Sequence, residues 1–110
     1  MALNNKIHED DVGVIFRLTV QDCDSNGDAV AVDISSQTSM FFYFRSPQTD
    51  TVLTRTPSFT TDGTNGQIEY TSQAGDLDED GRWALQARVI IAAGDFRTSI
   101  VQFPVEANIA

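Results

Sequence analysis

From Val12 onward the chain alternates between apolar and polar positions. Val12, Val14, Phe16, Leu18 and Val20 interleave with Gly13, Ile15, Arg17, Thr19 and Gln21. A period of two places one set on one face of an extended chain, which predicts a half-buried strand. Residues 22–28 are dense in Asp, Ser, Asn and Gly and predict a turn. Val30, Val32 and Ile34 resume the alternation, and residues 35–38 break it. Met40, Phe42 and Phe44 predict a second core face, with Phe41 and Tyr43 on the opposite side. A turn at Pro47–Asp50 precedes a short β-branched run over residues 51–56. Asp62-Gly63-Thr64-Asn65-Gly66 predicts another turn, Ile68 and Tyr70 a short strand, and residues 75–81 an acidic corner. Trp83, Leu85, Ala87, Val89 and Ile91 give the cleanest alternation in the chain. After a hairpin turn at Ala93-Gly94-Asp95, residues 96–105 read as the last strand, with Val101, Phe103 and Val105 aligned.

No long stretch carries the 3.6-residue period of a helix. Seven to eight short antiparallel strands separated by turns predict an all-β fold, an immunoglobulin-like β-sandwich. Residues 1–11 are polar, end in Glu9, Asp10 and Asp11, and read as an extended N-terminal arm ahead of a domain over 12–110. The stretch Gly81-Arg82-Trp83-Ala84-Leu85 fits a tyrosine corner, the sandwich motif in which an aromatic opens strand F two residues before a core cysteine. Trp83 takes the place of the tyrosine and Leu85 that of the cysteine.

Charge narrows the class of partner. Seven basic residues against sixteen acidic ones give a net charge of -9. Nucleic acid is bound through Lys and Arg on phosphates, so neither it nor an anionic membrane surface is the expected partner. The basic set is one lysine, Lys6, and six arginines: Arg17, Arg45, Arg55, Arg82, Arg88 and Arg97. Arginine is enriched at protein interfaces because its planar fork pairs bidentately and stacks. The single cysteine, Cys23, precludes an internal disulfide. The N-terminus lacks the apolar core of a signal peptide, and no apolar run is long enough to span a bilayer, so synthesis in a cytosol is expected.

The composition does not favour catalysis. One histidine, His8, and one cysteine supply no nucleophile held beside a base, and the soft ligands of a zinc site are missing. No cofactor is expected. Asp22-Cys23-Asp24-Ser25-Asn26-Gly27, with Asp33 at the twelfth position, matches the start of an EF-hand loop. The flanks alternate as strands rather than helices, so Asp22, Asp24, Asn26 and Asp33 read as turn residues. Asp76-Leu77-Asp78-Glu79-Asp80-Gly81 has the same start, with Ala87 at its twelfth position. The interface signal is stronger. Phe41, Tyr43, Ile15 and Ile90 fall on the off-core sides of their strands, and Arg17, Arg45 and Arg88 stand ready to pair with acidic neighbours.

Several stretches carry a family resemblance. They are Asp11-Val12-Gly13-Val14-Ile15-Phe16, Val32-Asp33-Ile34-Ser35, Gly66-Gln67-Ile68-Glu69-Tyr70, Gly75-Asp76-Leu77, Gly81-Arg82-Trp83-Ala84-Leu85-Gln86-Ala87 and Phe103-Pro104-Val105. In this order and spacing the chain resembles the Ig-like N-terminal domain of phage baseplate upper proteins, from about residue 10 to residue 107. The resemblance implies a virion structural protein, made in the host cytoplasm, with other virion proteins as partners in a homo- or hetero-oligomeric tail, baseplate or head assembly. It implies no enzyme and no required cofactor. That family continues toward a fibre where this chain stops at Ala110, which points to a stand-alone copy, such as a capsid decoration protein. The competing expectation is a carbohydrate- or cell-surface-binding adhesion module using Trp83, Tyr43 and Tyr70. A cellular Ig-like accessory domain is a third.

Overall fold

The computed structural model describes residues 7–23, 25–92 and 94–108. Its elements are β1 (Ile7–His8), β2 (Ile15–Thr19), β3 (Gln21–Cys23), β4 (Ala29–Ala31), β5 (Ser39–Arg45) and β6 (Val52–Arg55), followed by β7 (Ser58–Phe59), β8 (Gln67–Thr71), β9 (Gly81–Ile91), β10 (Gly94–Arg97) and β11 (Val101–Glu106). No helix occurs among the described residues. The large sheet has the order β1-β11-β9-β5-β6, with β10 also paired to β9, and the small sheet has the order β2-β8-β7. These orders match the G-F-C-C′ and B-E-D layers of an immunoglobulin-type sandwich.

The long alternating runs form the strands they predict, and the two sheets face each other across an apolar core. Met40, Phe42 and Phe44 of β5 and Trp83, Leu85, Ala87 and Val89 of β9 are buried on one side, opposite Phe16 of β2 and Ile68 of β8. Phe16 crosses the layers, with its ring 5.2 Å from that of Phe44 and 4.9 Å from that of Phe103. Each such aromatic removes about 150–250 Å² from water and contributes on the order of 2–3 kcal/mol. The corner before β9 closes as the sequence predicts: the indole N–H of Trp83 donates to the Glu79 carbonyl at 3.0 Å, the backward bond that the tyrosine of such a corner supplies.

Several local expectations are corrected. Residues 7–11, read as part of the arm, are built into the sandwich, while residues 1–6 lie outside the described residues. β1 pairs with β11, the Glu9 N–H donates to the Glu106 carbonyl, and the Asp10 N–H donates to the Leu77 carbonyl. That β1–β11 pair is parallel, so the strands are not all antiparallel. The strands among the described residues number eleven rather than seven or eight, because ladders of two and three residues are too short to leave a period in the sequence. Val12 is 63% exposed, because Gly13 at φ 92° turns the chain before β2 begins. Val30 is 47% exposed, because β4 pairs with β3 in a hairpin that joins neither sheet. The last strand is interrupted. Arg97 pairs with Arg88 and Val101 with Leu85, so residues 98–100 oppose only residues 86–87, which is a β-bulge. Thr98 holds it, its hydroxyl accepting from the Ala87 N–H and its own N–H donating to the Ala87 carbonyl, each at 3.0 Å.

Gly66 locks the turn before β8. Its φ is 75°, and a Cβ there would lie 2.7 Å from the Val20 carbonyl oxygen and 2.9 Å from that of Val32. Both the conformation and the backbone contact exclude a side chain. Gly66→Ala is expected to cost about 2 kcal/mol and lower the thermal midpoint by about 10 °C, a loss that a melt followed by circular dichroism detects. An unchanged midpoint would mean that the turn relaxes freely.

Candidate interaction face

The outer face of the large sheet follows from the register of its strands. On β5 the outward residues are Ser39, Phe41, Tyr43 and Arg45. They pair across to Ile90, Arg88, Gln86 and Ala84 of β9. Directly paired residues of antiparallel strands point to the same side. Val52 and Thr54 of β6 join the face opposite Arg45 and Tyr43, and Asp95 and Arg97 of β10 join it opposite Ile90 and Arg88.

Phe41 and Tyr43 are half-buried and stack, with centroids 5.9 Å apart and planes 11° apart. Val52 and Ile100 are exposed beside them, and with Tyr43 and Arg45 they line a shallow depression of about 60 Å³. The bulge puts Ile100 there. The same outer face carries four of the six arginines: Arg45, Arg88 and Arg97 beside this apolar strip and Arg82 farther along β9, opposite Pro104 of β11. Arg88 donates to Asp95 through Nε at 3.0 Å and Nη2 at 2.6 Å. Asp95, then Tyr43, hold the guanidinium above its ordinary value, and Arg88 in turn holds the Asp95 carboxyl below the usual carboxylate range. Arg97 and Arg88 nevertheless face each other directly, an arrangement that costs stability in a sheet. Asp95, whose carboxyl is lowered by Arg88 and also by Arg97, offsets part of that repulsion.

Compared with protein-family models, with curated proteins and with solved structures, the chain matches none.

The seven residues read as interface residues do not form one surface. Phe41, Tyr43, Arg45, Arg88 and Ile90 share the outer face of the large sheet. Ile15, which is 51% exposed, and Arg17 lie on the outer face of the small sheet, where Arg17 Nε donates to Glu69 at 2.9 Å. The three arginines expected to seek acidic neighbours each have one within the chain: Glu69 for Arg17, Asp50 at 3.5 Å for Arg45, and Asp95 for Arg88. Val52, Arg82, Arg97 and Ile100 share the outer side of the large sheet with Phe41 and Tyr43 and are not among the seven. Arg82 was legible in the alternation of β9, whereas Arg97 and Ile100 need the register and the bulge.

The two calcium-like motifs serve the turns and the core. Asp24 lies outside the described residues. Asp33 accepts from the Ser35 N–H at 3.0 Å and the Ser35 hydroxyl at 2.7 Å, an Asx-turn that lowers its pKa. No cluster of three or more His, Cys, Asp or Glu among the described residues is arranged to hold a metal ion. In the second motif Asp76 is buried and accepts from Arg55, Tyr70 and the Gln73 N–H. A cavity of about 290 Å³ beside it is lined by Ser46, Thr49, Asp78, Glu79 and Trp83. Glu79 is already engaged there, accepting from the Thr49 hydroxyl at 2.7 Å and the Gln48 N–H at 2.9 Å.

Proposed function

We propose that the protein is a non-enzymatic interaction module of a virion, an Ig-like domain that docks onto other structural proteins of a tail, baseplate or head. The stacked Phe41–Tyr43 pair on the outer face of the large sheet carries this reading. A sandwich needs one buried face per sheet, and β5 is apolar on both. Half-buried aromatics on an outer face beside arginines are the composition of interface cores. The virion assignment rests on the resemblance of the chain to phage baseplate domains. The non-enzymatic assignment rests on the lack of a positioned nucleophile and base in the sequence. The arginines do not make the face a site for nucleic acid, since the acidic loops flanking it repel a polyanion.

Phe41→Asp puts a carboxylate in the centre of the strip without touching the core. The variant is expected to stay folded, within about 1 kcal/mol of the parent, and to lose incorporation into particles. Quantifying the chain in purified particles and in the unassembled pool checks this, and incorporation at the parental level would refute the role of the face. For an adhesion module, Trp83 is buried and the Tyr70 hydroxyl is bonded to Asp76, which leaves the same Phe41–Tyr43 pair as the aromatic platform. A saturable hit on a glycan array would favour that reading.

A further inference from the structure

The hairpin formed by β3 and β4 is the second unusual surface. It belongs to neither sheet, and every residue of it whose burial is described is exposed, including the apolar Val30. Residues 21–33 hold four aspartates, Asp22, Asp24, Asp28 and Asp33, and no basic residue. The charge of the chain is therefore segregated. Four of six arginines frame the outer face of the large sheet, where the carboxylates on the same strands and turn are Asp95, Asp50 and Glu106. All the other carboxylates except Glu69 lie in loops, in this hairpin or in the chain next to β1.

We infer that the occupant of the arginine-framed face is a second copy of this chain, which presents its β3–β4 hairpin. This rests on the proposed docking role of the face and names its partner. The chemistry on the two sides is complementary: Asp22 and Asp28 meet Arg82 and Arg97, and Val30 meets the Phe41–Tyr43 strip. Within one copy the two surfaces cannot meet, because the hairpin continues β2 of the small sheet whereas the arginines stand on the outside of the large one. A twofold contact of face against face would oppose like charges. The contact we infer is heterologous, head to tail, so a joined pair keeps one unoccupied face and one unoccupied hairpin for further copies.

Complementary blocked variants test this in sedimentation velocity. Phe41→Asp blocks the face and leaves the hairpin. The double variant Asp22→Arg, Asp28→Arg blocks the hairpin and leaves the face. The parent is expected to associate beyond a dimer as its concentration rises toward about 1 mM, and each variant to associate at least about tenfold more weakly. An equimolar mixture of the two variants is expected to form a dimer that grows no further, since one intact face meets one intact hairpin. If Phe41→Asp proves unfolded by circular dichroism, Arg97→Glu replaces it, because Arg97 is exposed. A parent that stays monomeric overturns the inference, as does a parent that stops at a dimer or a mixture that stays monomeric. If a monomeric parent still depends on Phe41 to enter particles, the face keeps its docking role and only the second copy is removed as its occupant.

Discussion

Replacing Trp83 by alanine is expected to lower stability by about 4 kcal/mol, the upper range for deleting a large buried aromatic. Three losses combine at this position. The ring is 2% exposed, so its removal deletes a large buried side chain and enlarges the cavity of about 290 Å³ that it lines. It stacks on Phe103 with centroids 6.4 Å apart and planes at 15°, which ties β9 to β11 within the large sheet. Its indole N–H caps the Glu79 carbonyl and fixes the loop that enters β9. Trp83→Phe separates the terms: it keeps most of the volume and deletes the bond, and about 2 kcal/mol is expected. Denaturant unfolding of the two variants measures both, and equal costs would mean that the indole bond contributes nothing. Typical domains have a total stability of only 5–15 kcal/mol, so the alanine variant is expected to be partly unfolded at physiological temperature.

Asp76→Ala is expected to cost about 3 kcal/mol, because it orphans three donors at once. Arg55 donates to Asp76 through Nε at 3.0 Å and Nη2 at 2.8 Å, Tyr70 through its hydroxyl, and Gln73 through its backbone N–H at 2.8 Å. Arg55 comes from the large sheet and Tyr70 from the small one, so this single carboxylate joins the two layers. The Arg55 side chain is 38% exposed, which reduces the Coulombic share through solvent screening. Burial alone would raise the Asp76 carboxyl, but the bonds from Tyr70, Gln73 and Arg55 outweigh it and hold the group below its usual value. Burial, then the bond to Asp76, pushes the Tyr70 hydroxyl up to about 12. A carboxyl with a depressed folded pKa stabilises fully above the unfolded value, about 3.9, and loses that contribution as the pH falls through the folded value. The stability gap between the parent and Asp76→Asn should therefore be constant near neutrality and shrink below about pH 4. Denaturant titrations across that range give the gap directly. A gap independent of pH would show that Asp76 is not held as a carboxylate.

The strands that were legible in the sequence are those long enough to show a period. β5 and β9 bury alternate residues along nearly their whole length, so Met40 to Phe44 and Trp83 to Val89 announce their faces. What failed to show depends on contacts between distant parts of the chain. Ile7 and His8 form a strand only because β11 lies beside them. The bulge at Thr98 is set by one hydroxyl against Ala87. Arg55 and Asp76 are 21 residues apart on different elements, and no local pattern joins them. The candidate face divides in the same way. Phe41 and Tyr43 were visible as the wrong side of an amphipathic strand, while the placing of Arg45, Arg88 and Arg97 beside them is a property of register. The acidic loops misled for a related reason: short aspartate-rich turns satisfy their own backbone with the same oxygens that a cation would use.

The parallel pairing of β1 with β11 decides how the domain carries load. Tension along the chain draws Ile7 backward and Glu106 forward. Because the two strands run in the same direction, those pulls oppose each other along the strand axis. The rungs at Ile7↔Val105 and His8↔Glu106 and the Glu9 N–H bond to Glu106 are then stressed together, in shear. Asn108, bonded to Glu9 through both its backbone and its side chain, extends the same seam. An antiparallel pair in that place would open one rung at a time, like a zip. Here the seam that closes the sandwich also acts as a clamp, and a force transmitted from one end of the chain to the other must break it as a unit.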